Sequence, residues 1–248
     1  MAAASKIIVT GAAQGIGRAI ALRLAAPGVR LAVWDTQAGG VEETAELCRA
    51  RGATSRAWTV DVGAEDTVER AVSDFVREWG APDGLVANAG IFPRSRVLDM
   101  KLAEWDSVLR VNLTGTFLCA RAAARAMVKA GGGAIVTMAS GRALAGAANG
   151  AHYSATKGGI IALTKSMALD LAKDNIRVNC VIPGIADTAQ PRGEMTDEQL
   201  YAVGAHIPLG RIGQPDDIAG VVAFLLGSDA AYMTGQSVAV NGGAIMIP

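Results

Sequence analysis

Apolar positions fall into short continuous runs separated by longer amphipathic stretches, from one end of the chain to the other. The runs are KIIVT (6–10), RLAVWD (30–35), RAWTVDV (56–62), GLVANAG (84–90), AIVTMAS (134–140), IRVNCVIPG (176–184) and SVAVNGG (237–243). A strand that is apolar on both faces must be covered on both, as in a parallel sheet enclosed by helices. Between the runs, helical spacing predicts helices near 15–26, 41–51, 65–79, 104–130, 153–173 and 215–227. Strand and helix alternating at this period is the βαβ signature. The expectation is a single α/β domain over 1–248, with about seven parallel strands and helices on both faces. No linker, low-complexity tract or solenoid-like repeat interrupts it.

One stretch breaks the rhythm. Residues 185–214 hold Pro191 and Pro208 and only one short helical pattern, 196–205. Long irregular insertions in compact domains commonly serve as lids or binding loops. This one follows a strand whose C-terminal end should face a ligand. It reads as a substrate lid, the alternative being a tolerated surface loop.

Composition narrows the partners. In 248 residues, 23 basic side chains balance 23 acidic ones. Without a basic excess, nucleic acid and anionic membrane are excluded as main partners. The apolar content of 51% is rich for a soluble domain and suggests subunit contacts. Cys48, Cys119 and Cys180 are scattered and read as buried free thiols in a reducing compartment. Two histidines, His152 and His206, are too few and too separated for zinc, so no metal is expected. The start of the chain lacks a signal-peptide pattern, and the late run 221–226 is too short to span a bilayer. A cytoplasmic location is expected.

Three motifs carry chemistry. Thr10-Gly11-Ala12-Ala13-Gln14-Gly15-Ile16-Gly17 sits where the first strand meets the first helix. Glycines there let backbone amides approach a pyrophosphate at a helix N-terminus. Asp35 ends the second strand, about 20 residues past the glycine turn, where a carboxylate binds the ribose hydroxyls of NAD and repels the 2′-phosphate of NADP. Its alternative role is a loop or helix-capping carboxylate. Tyr153 and Lys157 share a helix face at i, i+4, downstream of Ser140 at a strand end. A phenol beside an ammonium can serve as a general acid/base, with the ammonium and the oxidised nicotinamide cation both lowering its pKa, and a hydroxyl can hold the substrate oxygen.

These motifs, with Asp61, Asn88-Ala89-Gly90, Asn112, Tyr153-Ser154-Ala155-Thr156-Lys157, Pro183-Gly184 and Asn241-Gly242-Gly243, resemble the classical short-chain dehydrogenase/reductase family across essentially the whole chain. The resemblance implies a Rossmann-like doubly wound sheet and a homotetramer, with 242–248 near a subunit contact. It implies catalysis by Asn112, Ser140, Tyr153 and Lys157, with Asn112 holding a relay water. Asp61 and Val62 would lie near the adenine. Asn88, Ala89 and Gly90 would support the cofactor, and Pro183, Gly184, Ile185 and Thr188 its nicotinamide end. Asn241 stands where aspartate is common in the family, and Asp187 unusually precedes Thr188.

The reading is hydride transfer between NAD and a secondary alcohol or ketone as small-molecule substrate. Arg94, Arg142, Asn149, His152 and Arg192 occupy segments that the fold brings to the pocket, which suggests a sugar, polyol or acid-bearing alcohol. The alternative for each arginine is a solvated surface position. A 3-oxoacyl-carrier-protein reductase is the enzyme alternative, although such reductases usually prefer NADPH. A catalytically silent NAD-binding scaffold or sensor is the alternative of another class.

Overall fold

In the computed structural model, which describes residues 4–246, seven parallel strands form one sheet in the order β3-β2-β1-β4-β5-β6-β7. They are β1 Lys6–Thr10, β2 Arg30–Asp35, β3 Thr54–Thr59, β4 Gly84–Ala87, β5 Gly133–Met138, β6 Ile176–Pro183 and β7 Ser237–Val240. The order reverses between β1 and β4, so their C-terminal ends open a crevice where ligands bind in such sheets.

Side chains alternate across the sheet, so one run of apolar residues serves two layers. Ile7, Val9, Leu31 and Val33 pack with α1 (Gly15–Leu24), α2 (Ala38–Ala50) and α10 (Pro215–Leu226). Ile8, Ala32, Trp34 and Leu85 pack on the other face with α3 (Glu65–Trp79) and α5 (Gly115–Ala130). The helices show the complementary period: α3 buries Val68, Ala71, Val72 and Phe75. Helix α7 (Ala151–Leu171) lies against β6 and α5. The three cysteines are buried and free. Among the described residues, no helix is long and apolar enough to cross a membrane. Ile247 and Pro248, the end of the expected subunit-contact segment, and Met1–Ala3 lie outside the described residues.

Several boundaries differ from expectation for local reasons. The expected helix 104–130 is broken into α4 (Leu102–Val108), a π-helical turn Leu109–Thr114, and α5. A π-turn inserts a residue and re-aims the side chains that follow, and such turns recur at functional sites. Here it carries Asn112. Strand β4 stops at Ala87 because the next two amides leave the ladder. Asn88 and Ala89 N–H both donate to the Thr10 hydroxyl at 3.0 Å. Strand β3 stops at Thr59, and Asp61 folds back to accept from the Gly63 amide at 2.9 Å. Two short helices were not anticipated: α6 (Arg142–Ala145) and α8 (Ala189–Arg192). Within 185–214, α9 (Asp197–Ala205) coincides with the expected helix and opens on a Thr196/Gln199 capping box.

The β1–α1 turn is locked to the end of β4. The Asn88 amide donates to the carbonyls of Thr10 (3.0 Å) and Gly11 (3.1 Å). Gly11 has φ +65°, and a Cβ on Gly17 would fall 2.0 Å from the Gly11 carbonyl oxygen, so neither position admits a side chain without movement. Asn88→Ala would strand two carbonyls. We expect a loss of about 1–3 kcal/mol of stability in denaturant unfolding, together with weaker dinucleotide binding.

Candidate active site

A cleft of about 890 Å³ runs along the C-terminal edge of the sheet. One end is the dinucleotide end. Gly11, Gln14, Gly15, Ile16 and Gly17 line it from the first turn, and Asp35, Asp61 and Val62 from the ends of β2 and β3. Asn88, Ala89 and Gly90 line its middle, and Pro183, Gly184, Ile185 and Thr188 the far side. The glycine cradle, the start of α1 and the strand-end carboxylate fit a dinucleotide: amides and helix dipole toward a pyrophosphate, Asp35 toward a ribose. Asp35 accepts from the amides of Ala13 and Gln37, both at 3.0 Å, which fixes the carboxylate at the rim. Arg18 does not line the cleft. It binds Glu43 at 2.6 Å and the Thr44 hydroxyl at 3.0 Å.

The catalytic candidates converge where β5 ends. Ser140, Tyr153 and Lys157 line the same cleft. Lys157 is buried and its Nζ donates to the Met138 carbonyl at 2.8 Å, 5.5 Å from the centre of the Tyr153 ring. Burial pulls the Lys157 ammonium down to about 8. The Tyr153 phenol moves the other way. Burial raises it, outweighing the lowering influence of the Ser140 hydroxyl and of the Arg94 and Arg142 cations. Desolvation is the larger influence on the phenol here, whereas the expectation that Lys157 and an oxidised nicotinamide together lower it concerns the cofactor-bound site.

Asn112 is fully buried and does not line the cleft. Its side chain pairs with the backbone of Ile91, accepting at 2.8 Å and donating at 2.9 Å, and donates to Thr156 at 3.3 Å. It thus ties the loop after β4 to the helix that carries Tyr153 and Lys157.

Of the five substrate candidates, Arg94 and Arg142 line the cleft. Arg94 is engaged by both oxygens of Glu194, with Nε to Oε1 at 2.8 Å. Arg192 binds Asp187 through two nitrogens and Asp197 at 2.7 Å, pointing its charge into its own segment. This also accounts for Asp187 before Thr188, and the pairing holds its carboxyl below the usual range. His152 is fully buried under the α7 start, and burial lowers its pKa. Asn149 adopts the left-handed conformation at φ 57°, and its carbonyl accepts from the Ser95 amide at 2.9 Å. Neither lines the cleft.

Phe92, the main aromatic side chain expected near the pocket, stacks on Tyr153. Sequence reasoning left other lining residues out, among them Arg110, which holds Asp61 at 2.8 Å. Pro191, Met195, Val203, Ile207 and Ile245 form an apolar wall. Val203 lies on the expected helix 196–205, whereas the others come from parts of 185–214 without periodicity and from the chain end, where no spacing marks them. Asn241 donates to the Ile245 carbonyl at 2.8 Å, a bond that an aspartate could not donate, so this residue helps set that wall.

The comparisons agree with this fold. A family profile described as enoyl-(acyl carrier protein) reductase matches residues 11–244. The chain is 41% identical to a 3-oxoacyl-[acyl-carrier-protein] reductase FabG of Staphylococcus aureus, over 96% of this chain and 97% of the relative. It is 37% identical to the protein of that name in Escherichia coli K12, over 97% of each. A short-chain type dehydrogenase/reductase from Mycobacterium marinum superposes with a TM-score of 0.89 at 35% identity, over 97% of this chain and 95% of that one. Fold and similarity coincide over nearly the full length, and the chain is an oxidoreductase that belongs to the short-chain dehydrogenase/reductase family.

Proposed function

We propose that this chain, acting as one dinucleotide-binding and catalytic domain, reduces a 3-oxoacyl thioester to the 3-hydroxyacyl product with NADH. The observation that carries this reading is the near full-length similarity to 3-oxoacyl-[acyl-carrier-protein] reductases, with Ser140, Tyr153 and Lys157 gathered in one cleft. Burial favours the neutral form of Tyr153, the form able to give a proton to a carbonyl oxygen as it gains negative charge. Bound in the cleft, the reduced nicotinamide would supply the hydride. Ser140 would hold the substrate oxygen by a hydrogen bond. Lys157 would feed protons toward Tyr153, and Asn112 would keep the two walls of the site in register, a role additional to the relay water that the resemblance implies.

The acyl assignment is supported by the names of the relatives and by the apolar wall of Pro191, Met195, Val203, Ile207 and Ile245. The sugar, polyol or acid-bearing alcohol suggested by the arginines gives way to it. Arg94 and Arg192 are neutralised by carboxylates, and His152 and Asn149 face elsewhere. Residues 185–214 act as the lid in this reading, which is supported by Pro191, Met195 and Val203 lining the cleft. The choice of NADH rests on Asp35 at the rim. Thr36 and Gln37 beside it bring no cation, and the Arg18 guanidinium is engaged by Glu43.

Tyr153→Phe preserves the ring and removes the proton. The rate on a soluble short 3-oxoacyl thioester should fall by roughly 10²–10⁴-fold, the usual worth of general acid–base catalysis, while NADH binding measured by fluorescence persists. Near-native turnover would refute the assignment. Asp35→Ala should narrow the ratio of kcat/KM for NADH over NADPH, mainly by improving NADPH. Equal use of both cofactors by the unmutated enzyme would contradict the choice of NADH. The homotetramer expected of the family is also part of this proposal, with exposed Phe117 of α5 and Leu169 of α7 as covered surface. Light scattering should give four times the chain mass, and a stable monomer at working concentration would overturn it.

A further inference from the structure

Three side chains outside the Asn–Ser–Tyr–Lys set form one stack over the catalytic phenol. The Phe92 ring lies parallel to Tyr153, with centroids 3.9 Å apart and planes at 11°. The Arg94 guanidinium carbon stands 3.9 Å from the Phe92 centroid. Two groups that close to one ring cannot share a face, so the order is Tyr153, Phe92, Arg94. Glu194, in the turn after α8, closes the series through its two-oxygen pairing with Arg94.

The loop that carries the stack is held at both ends. Asn112 binds the Ile91 backbone on one side of Phe92. On the other, Ser95 bridges to Gly150, just before α7. Gly150 has no side chain to spare: a Cβ there would come within 2.6 Å of the Phe92 ring. Phe92 is therefore seated between the residue that precedes α7 and the tyrosine in its first turn.

We propose that Phe92 and Arg94, with Glu194 holding Arg94, are positioning residues for Tyr153. The stack covers one face of the phenol, fixes its ring plane and leaves the hydroxyl edge beside Ser140 as the approach for substrate. A stacked aromatic pair contributes about 0.5–1.5 kcal/mol, and a cation over a ring about 0.5–1 kcal/mol at exposed sites. Either is enough to select one ring orientation over its neighbours. Because Glu194 belongs to the lid, the stack also makes the orientation of the acid depend on where the lid rests. The inference rests on Tyr153 as the proton donor and is independent of which ketone is reduced.

The test uses the full chain with Phe92→Leu, Phe92→Tyr, Arg94→Gln, Glu194→Gln and the Arg94→Gln/Glu194→Gln pair. Two readouts are compared: steady-state kinetics on a short 3-oxoacyl thioester, and the phenolate absorbance of Tyr153 titrated without substrate. Tyr153→Phe identifies the Tyr153 signal, since the other two tyrosines, Tyr201 and Tyr232, are exposed. Phe92→Leu should lower kcat about 3–10-fold, the equivalent of one aromatic stack, with the cofactor KM unchanged. It should also bring the Tyr153 ionisation down, because water reaches the uncovered face. Phe92→Tyr should restore both. The two charge variants should each lower kcat, and the pair should be no worse than the more damaging single change. Native kcat in Phe92→Leu, an unmoved phenolate midpoint, or additive effects of the two charge variants would each overturn the proposal. Should the thioester not be turned over at all, the acyl assignment fails, and the phenolate titration still decides the role of the stack.

Discussion

The hydroxyl of Thr10 is the point on which the site turns. It accepts the amides of Asn88 and Ala89, at the one place in the sheet where the strand order reverses. With the Asn88 side chain it fastens the glycine turn of the first βαβ unit to the loop of the fourth strand. The first carries the dinucleotide cradle and the second carries Gly90, Ile91 and Phe92 toward the chemistry. A parallel sheet places all of its strand ends on one edge, but it does not set the distance between two loops. Here a few hydrogen bonds do so, and Asn112 repeats the device one step further on by joining Ile91 to α7.

Burial is the largest influence on the protonation of Tyr153 and Lys157. Lys157 and Tyr153 are both desolvated, and desolvation disfavours whichever form is charged. The ammonium is pulled down to about 8 and the phenol is pushed up, so both drift toward neutrality. A neutral phenol is the form that can donate a proton, and a lysine lowered by burial gives up its proton more readily. The stack of Phe92 and Arg94 contributes to both influences on Tyr153, covering the ring with one residue and bringing a cation near it with the other.

Much of this was legible in the chain. Continuous apolar runs specified the parallel sheet, and each cofactor-facing candidate from Gly11 to Thr188 lies along the cleft, because these residues sit at strand ends whose positions follow from the alternation of elements. What was not legible depends on tertiary contact. The π-turn at Asn112 leaves no trace in a helical period, which continues across it. The arginines near the pocket were visible, but Glu194 and Asp187, which neutralise two of them, are ordinary carboxylates in an irregular segment. The desolvation of Tyr153 was not legible either, because an i, i+4 lysine is evident in a sequence, whereas the burial of a ring is not.

The pH dependence of the reduction rate tests the central claim most directly. If Tyr153 is a buried neutral acid, kcat for a 3-oxoacyl thioester with saturating NADH should hold through neutral pH and fall only in the alkaline range, as the phenol loses its proton. A rate that instead climbed as pH rose through neutrality would mean that reduction needs the deprotonated form, and the account would be wrong.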